Sequence, residues 1–107
     1  MRAHHLLPAL IVGLSIWYAP AAQAADVIRI VIDKVAFAPV MVSARVGDTV
    51  EWVNDDFVAH TATARDKTWD IVIPPHKTGR LTLTRAGTFD YYCRYHPQMT
   101  GRLTVAK

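Results

Sequence analysis

The residues best suited to chemistry lie close together near the end of the chain. Cys93 is the only cysteine, and His96 and Met99 follow it at intervals of three residues. A thiolate, an imidazole and a thioether are ligands of graded softness that together suit copper in both of its oxidation states. His60, far upstream, is the best candidate for a second imidazole. The residue types and spacing therefore predict a copper site whose ligands are His60, Cys93, His96 and Met99.

Each of these residues also has an ordinary explanation when it is considered alone. Met99 would be a core methionine, His96 a loop histidine and His60 a half-buried histidine. Their combination at this spacing favours a metal site. Zinc is the chemical alternative because histidine and cysteine bind it well, but the thioether of Met99 favours copper. His76 has no soft ligand nearby in the sequence and is predicted to lie in a surface loop.

The start of the chain has the pattern of a cleaved secretion signal. A positive start at Arg2 is followed by an apolar run over residues 6–19 and by the small-x-small motif Ala22-Gln23-Ala24. The run is shorter than the roughly 20 residues that a membrane-spanning helix needs. An uncleaved anchor or a buried core helix is the alternative. We predict a signal peptide over residues 1–24, cleavage after about Ala24, a mature domain over residues 25–107 and a periplasmic location.

Export changes the meaning of the lone cysteine. Disulfides form in such compartments, but Cys93 has no partner within the chain. It is therefore a reactive thiol, an intermolecular partner or a metal ligand, and its neighbours favour the ligand. The formal net charge of +3 comes from Lys and Arg scattered among Asp, which excludes the clustered basic stripe of a nucleic-acid-binding protein.

Short strands separated by polar turns account for the rest of the chain. β-branched or alternating segments occupy residues 27–32, 35–37, 41–46, 49–53, 57–63, 69–73, 80–84, 88–93 and those from 101 onward. Val50 and Trp52 are predicted to share one face of their strand, as are Phe89, Tyr91 and Cys93. This pattern predicts an all-β antiparallel sandwich or barrel of seven or eight strands. A metal bound by His60 and the Cys93 loop would connect separate strand ends.

Several segments have the motifs of a known family. Residues 46–54 are similar to the pattern V-G-D-T-V-x-W-x-N, and Phe37-Ala38-Pro39 is similar to an early F-x-P. Residues 87–93, followed by His96-Pro97 and Met99, are similar to the family's closing motif. On these residues the chain resembles the cupredoxins, the small blue-copper proteins, and is closest to the amicyanin and plastocyanin-like members.

The resemblance implies a Greek-key β-sandwich with one type 1 copper ion at one end. It implies that His60, Cys93 and His96 bind the metal and that Met99 is a weak axial ligand. It also implies that His96 lies near the surface as the electron port, with protonation of His96 in the reduced form as a hypothesis. Many cupredoxins have Asn directly after the first copper histidine, where it braces the cysteine loop. This chain has Thr61 there, so the bracing is expected to be weaker or made differently.

The resulting functional prediction is a monomeric periplasmic one-electron carrier that is not itself an enzyme. Its partners would be redox proteins, a dehydrogenase or a c-type cytochrome, that dock through a patch around His96 and Pro97. Arg94 and Arg102 would steer an acidic partner. No nucleic acid and no membrane span of the mature chain are expected. The alternative is a periplasmic copper carrier or resistance protein, which would favour a methionine-rich site, whereas the chain has only three methionines.

Overall fold

The computed structural model describes residues 2–18 and 24–107. Residues 2–18 are exposed and form neither helix nor strand. Within the described residues, no helix is long and apolar enough to cross a membrane. Ala22 and Gln23 of the predicted cleavage motif lie outside the described residues, so the signal peptide and its removal stay a prediction.

The described residues from Val27 onward form nine strands, which confirms the predicted all-β sandwich. The strand count exceeds the predicted seven or eight because residues 35–37 and 41–46, which Pro39 interrupts, do not form one interrupted strand but contribute β2 and β3 to different sheets. The strands are β1 Val27–Asp33, β2 Ala36–Ala38, β3 Met41–Arg45, β4 Thr49–Asn54, β5 His60–Ala64, β6 Asp70–Ile73, β7 Thr78–Thr82, β8 Gly87–Tyr92 and β9 Thr100–Ala106.

Two sheets face each other. The four-stranded sheet has the order β2-β1-β4-β7, and the five-stranded sheet has the order β3-β9-β8-β5-β6. β1 is parallel to β4 and β3 is parallel to β9, so the purely antiparallel prediction is wrong for these two pairs. The reason is that the chain crosses from one sheet to the other between β2 and β3 and returns before β4. Such crossovers are typical of Greek-key connections.

Aromatic side chains fill the space between the sheets. Tyr91 from β8 lies edge-on to Phe37 at 4.7 Å and to Trp52 at 5.7 Å between ring centroids. Trp69 lies 5.5 Å from the rings of both Trp52 and Tyr91. The prediction that Phe89, Tyr91 and Cys93 share one face is confirmed, since all three are buried. The aromatic core therefore fixes the strand that leads directly to Cys93.

The close approach of β9 to Tyr91 gives a test of this packing. Gly101 lies opposite Tyr91 in the β8–β9 ladder, and a Cβ atom at Gly101 would overlap the Tyr91 ring. We expect Gly101→Ala to lower the free energy of unfolding by about 3 kcal/mol, because overpacking displaces the ring from the core. Chemical denaturation of the metal-free protein measures this change.

Ala106→Val is the matched control, since it adds methyl groups at an exposed position of the same strand. We expect Ala106→Val to change the free energy of unfolding by less than about 0.5 kcal/mol. A Gly101→Ala variant as stable as the wild type would contradict the described packing of Tyr91.

Candidate metal centre

Two neighbouring strands bring the distant candidate ligands together. His60 is the first residue of β5, and Cys93 directly follows β8, which pairs with β5. The sulfur of Cys93 lies 3.7 Å from Nδ1 of His60, although 33 residues separate them in the sequence. Both side chains are fully buried. The structure thus joins the two sequence segments that were predicted to form the site.

The short loop after β8 is wound into successive turns. The amide of His96 donates to the Cys93 carbonyl at 3.3 Å, and the amide of Met99 donates to the His96 carbonyl at 2.9 Å. The amide of Cys93 donates to the Met99 carbonyl at 3.0 Å and closes the loop. These turns place Nδ1 of His96 3.8 Å from the sulfur of Cys93. The three-residue spacing of Cys93, His96 and Met99 therefore matches the length of these turns.

The donor atoms have the separation that a metal ion requires. One ligand atom from each of His60, Cys93 and His96 lies within 4.8 Å of the others. A metal about 2.0 Å from nitrogen and about 2.3 Å from sulfur, with about 120° between the bonds, holds sulfur and nitrogen about 3.7 Å apart. The observed distances of 3.7 and 3.8 Å match this value. The group fits a trigonal metal ion with little rearrangement.

The remaining predicted residues have distinct positions. Met99 is 3% exposed and belongs to the same buried cluster as Cys93. His96 is only half-buried, so it lies between the buried sulfur and the surface. His76 is exposed and lies edge-on to Phe57, with 5.0 Å between the ring centroids. His76 is not part of the group of donor atoms, as expected for a residue of a surface loop.

A carboxylate that the sequence analysis missed orients the buried histidine. Nε2 of His60 lies 2.8 Å from Oδ2 of Asp56, four residues earlier. When this nitrogen carries the proton, Nδ1 keeps its lone pair directed toward Cys93. The Asp56 carboxylate also accepts the amides of Lys34 and Val35 at 2.8 and 3.0 Å. The sequence did offer a signal for Asp56, because an acidic residue precedes the candidate ligand His60 by one short loop.

These contacts change the acidity of Asp56. Burial raises the pKa of its carboxyl, but the Val35 amide, the His60 imidazole and the Lys34 amide lower it more strongly. The net pKa is below the ordinary value of 3.8. A carboxyl whose pKa is lowered by folding stabilises the folded state above its unfolded pKa. This stabilisation is lost as the pH falls through the folded pKa.

Asn54 holds the segment that leads to His60. Its side-chain nitrogen lies 2.9 Å from the carbonyl of Val58, 3.1 Å from that of Ile73 and 3.2 Å from that of Pro74. Its side-chain oxygen accepts the amide of Asp56 at 2.9 Å. Asn54 is fully buried, so these contacts replace the water that its amide would otherwise bind.

Thr61 takes the place of the asparagine that the resemblance led us to expect. Its amide donates to the sulfur of Cys93 at 3.3 Å, and its hydroxyl accepts the amide of Arg94 at 2.8 Å. The cysteine loop is therefore braced through the backbone and the side chain of one residue. The prediction that the bracing is made differently agrees with this geometry.

Comparison with known proteins identifies the family. The Cupredoxin-like domain family matches residues 6–105. Amicyanin from Paracoccus denitrificans is 32% identical over 92 residues, which cover 79% of this chain and 70% of that protein. The solved structure of amicyanin from Paracoccus versutus aligns with a TM-score of 0.66 at 27% identity and covers 78% of this chain and 84% of that chain. A purple cupredoxin from Nitrosopumilus maritimus aligns with a TM-score of 0.67 at 26% identity, covering 74% and 99%.

The chain belongs to the cupredoxin-like family. The resemblance deduced from the sequence motifs is therefore confirmed. The cofactor is one copper ion of type 1, and the buried arrangement of two imidazoles and one thiol suits it. Members of this family are electron carriers rather than enzymes, and the amicyanin relatives support a blue-copper electron carrier.

The contacts of Asp56 predict a pH-dependent change in stability. We expect Asp56→Asn to lower the free energy of unfolding of the metal-free protein by about 1 kcal/mol at pH 7, a modest value because the carboxylate is partly exposed. The difference from the wild type should shrink as the pH falls below the ordinary value of 3.8 and through the lower pKa of the folded protein, because the wild-type carboxyl then becomes protonated as well. Chemical denaturation at pH 7 and at pH 3 measures both values.

Asp55→Asn is the matched control because Asp55 is an exposed neighbouring carboxylate outside this hydrogen-bond group. We expect Asp55→Asn to leave the stability at pH 7 nearly unchanged. An Asp56→Asn difference that is as large at pH 3 as at pH 7 would show that the charge of Asp56 is not the source of the effect.

Proposed function

We propose that the protein is a periplasmic one-electron carrier whose copper is bound by His60, Cys93 and His96, with Met99 as the weak axial ligand. The observation that carries this proposal is the buried sulfur of Cys93 with Nδ1 atoms of two histidines at 3.7 and 3.8 Å. A bound copper ion supplies the chemistry by alternating between Cu(II) and Cu(I). The periplasmic location rests on the signal-like pattern of residues 1–24.

The protein's own contribution is to hold these ligands still. Asp56 fixes the ring of His60, and the Thr61 amide fixes the sulfur of Cys93. The three backbone hydrogen bonds of the 93–99 loop fix His96. Ligands that are held by neighbouring groups before the metal binds move little when its charge changes. Small rearrangement is the property that makes electron transfer fast.

Exposed apolar side chains lie in both chain segments that carry the candidate histidines. In the 93–99 loop, Pro97 is exposed and Tyr95 is 50% exposed. In the segment before His60, Phe57 is 87% exposed and Val58 is 48% exposed. We propose that this surface, centred on His96 and Pro97, is where a dehydrogenase or a c-type cytochrome docks. A small apolar patch suits a weak contact that forms and dissociates quickly.

The two arginines that were predicted to steer an acidic partner both form ion pairs. Nε of Arg94 lies 3.1 Å from Asp70, and Nε of Arg102 lies 2.7 Å from Asp90. Each arginine is therefore paired with a carboxylate, which reduces the field that it presents to a partner. Steering of an acidic partner by Arg94 and Arg102 stays a prediction, as does protonation of His96 in the reduced form.

The spectrum of the copper-loaded protein tests the proposal. We expect one copper per chain and an intense visible band on addition of Cu(II), which ascorbate bleaches and reoxidation restores. Cys93→Ser should abolish the band, because the band requires a bond from thiolate to copper. Met99→Leu should keep the band and shift the reduction potential, because the axial ligand tunes the metal without making its strongest bond.

Gln98→Leu is the matched control for Met99→Leu, since it changes an exposed neighbour in the same loop. We expect it to leave both the band and the potential close to the wild type. A protein that binds Cu(I) tightly but stays colourless with Cu(II) would overturn the electron-carrier proposal and support copper delivery instead.

A further inference from the structure

A closed ring of hydrogen bonds connects the cysteine loop to a surface ion pair. The Arg94 amide donates to the hydroxyl of Thr61 at 2.8 Å, and this hydroxyl lies 2.9 Å from that of Thr63. The Thr63 hydroxyl donates to Oδ1 of Asp70 at 2.6 Å. The guanidinium of Arg94 donates to the same carboxylate oxygen at 3.1 Å and closes the ring.

The direction of every hydrogen in this ring is determined by Asp70. An ionised carboxylate only accepts hydrogen bonds, so Thr63 must donate to Asp70. The oxygen of Thr63 is then free to accept the hydrogen of Thr61. The Thr61 oxygen in turn accepts the amide of Arg94. Hydrogen bonds that point one way along a chain strengthen one another, so the charge at the surface supports the last bond at the loop.

Burial makes these hydroxyls depend on the ring. Thr61 is fully buried and Thr63 is 7% exposed. All five residues of β5 are buried, so both faces of this strand are covered. A buried hydroxyl that loses its partner cannot exchange it for water. Breaking the ring at Asp70 therefore affects each hydroxyl back to Thr61.

The ring acts on the same residue that contacts the sulfur. The amide of Thr61 donates to the sulfur of Cys93. The hydroxyl of Thr61 accepts the amide of Arg94, the residue that follows Cys93. We propose that Thr61, Thr63 and Asp70 are positioning residues, and that the Asp70 carboxylate orders the threonine hydroxyls that hold Cys93 in place. This inference rests on the proposed function only in taking Cys93 as a copper ligand. None of the predicted copper ligands is a member of the ring.

The first experiment measures hydrogen exchange in the metal-free protein. The reporter is the amide of Arg94, whose hydrogen-bond acceptor is the Thr61 hydroxyl. We expect this amide to exchange about tenfold faster in Asp70→Asn and in Thr63→Val, because Thr63→Val removes a link of the ring and Asp70→Asn removes the charge that fixes its direction. Thr63→Val keeps the side-chain shape and changes no charge. Thr61→Ser keeps the hydroxyl and should retain most of the protection.

Asp90→Asn is the matched control. Asp90 is paired with Arg102 at 2.7 Å and is as exposed as Asp70, with side-chain exposures of 48% and 49%. The Asp90→Asn change removes the same charge from the same five-stranded sheet, but it does not alter a partner of the threonines of β5. We expect Arg94 exchange in Asp90→Asn to equal that of the wild type. Unchanged Arg94 exchange in both Asp70→Asn and Thr63→Val would overturn the proposal.

The second experiment compares the same variants loaded with copper. We expect Thr63→Val and Asp70→Asn to shift the reduction potential and the position of the visible band. Asp90→Asn reports how much a change of charge alone contributes. If Arg94 exchange is faster but the visible band and the reduction potential do not shift, the proposal that the ring positions Cys93 is overturned. If Arg94 exchange is faster in the variants but the copper-loaded protein never shows the visible band, the ring is supported and the proposed electron-carrier function is overturned.

Discussion

The meeting of β5 and β8 is the constraint on which the rest of the structure depends. Their backbone ladder pairs Ala64 with Tyr91 and Thr63 with Tyr92 and then stops. Continuing the same register would place Thr61 opposite Arg94, but there the side chain of Thr61 accepts the amide of Arg94. The Thr61 amide donates to the sulfur of Cys93 in place of a carbonyl. The backbone pairing of β5 and β8 thus ends where the candidate metal site begins. A shift of one residue in this pairing would turn Cys93 away from His60.

This arrangement explains where the buried polar groups lie. Among the described residues, the polar side chains that are buried outside the aromatic core are His60, Thr61, Thr63, Asn54 and Asp48. All but Asp48 belong to β5 or to the segment that leads to it. Buried polar groups cost free energy unless they are paired, and here their partners are the groups that orient ligands. The stability of this end of the sandwich and the geometry of the site are therefore properties of the same hydrogen bonds.

The sequence predicted those parts of the structure that depend on short spacing. Cys93, His96 and Met99 are joined by turns of fixed length, so their spacing alone indicated a common site. Alternation along β8 likewise predicted that Tyr91 and Cys93 share one face, and the structure shows that both are buried. The parallel pairs β1–β4 and β3–β9 depend on how the chain crosses between sheets, and alternation carries no information about that. Asp56 and Asn54 each form their contacts across loops as single residues. No repeating sequence pattern indicates such residues.

The gradient of burial across the site connects its geometry to electron transfer. The sulfur of Cys93 is inaccessible and the ring of His96 is half-buried, while Tyr95 and Pro97 on either side of it are exposed. A partner that docks on this surface approaches His96 before any other candidate ligand. Arg94 and Arg102 are each paired with a carboxylate, which reduces the field that these two arginines present. Under the proposed function, the exposed apolar side chains would then form most of the contact, which suits a partner that binds weakly and leaves once the electron has moved.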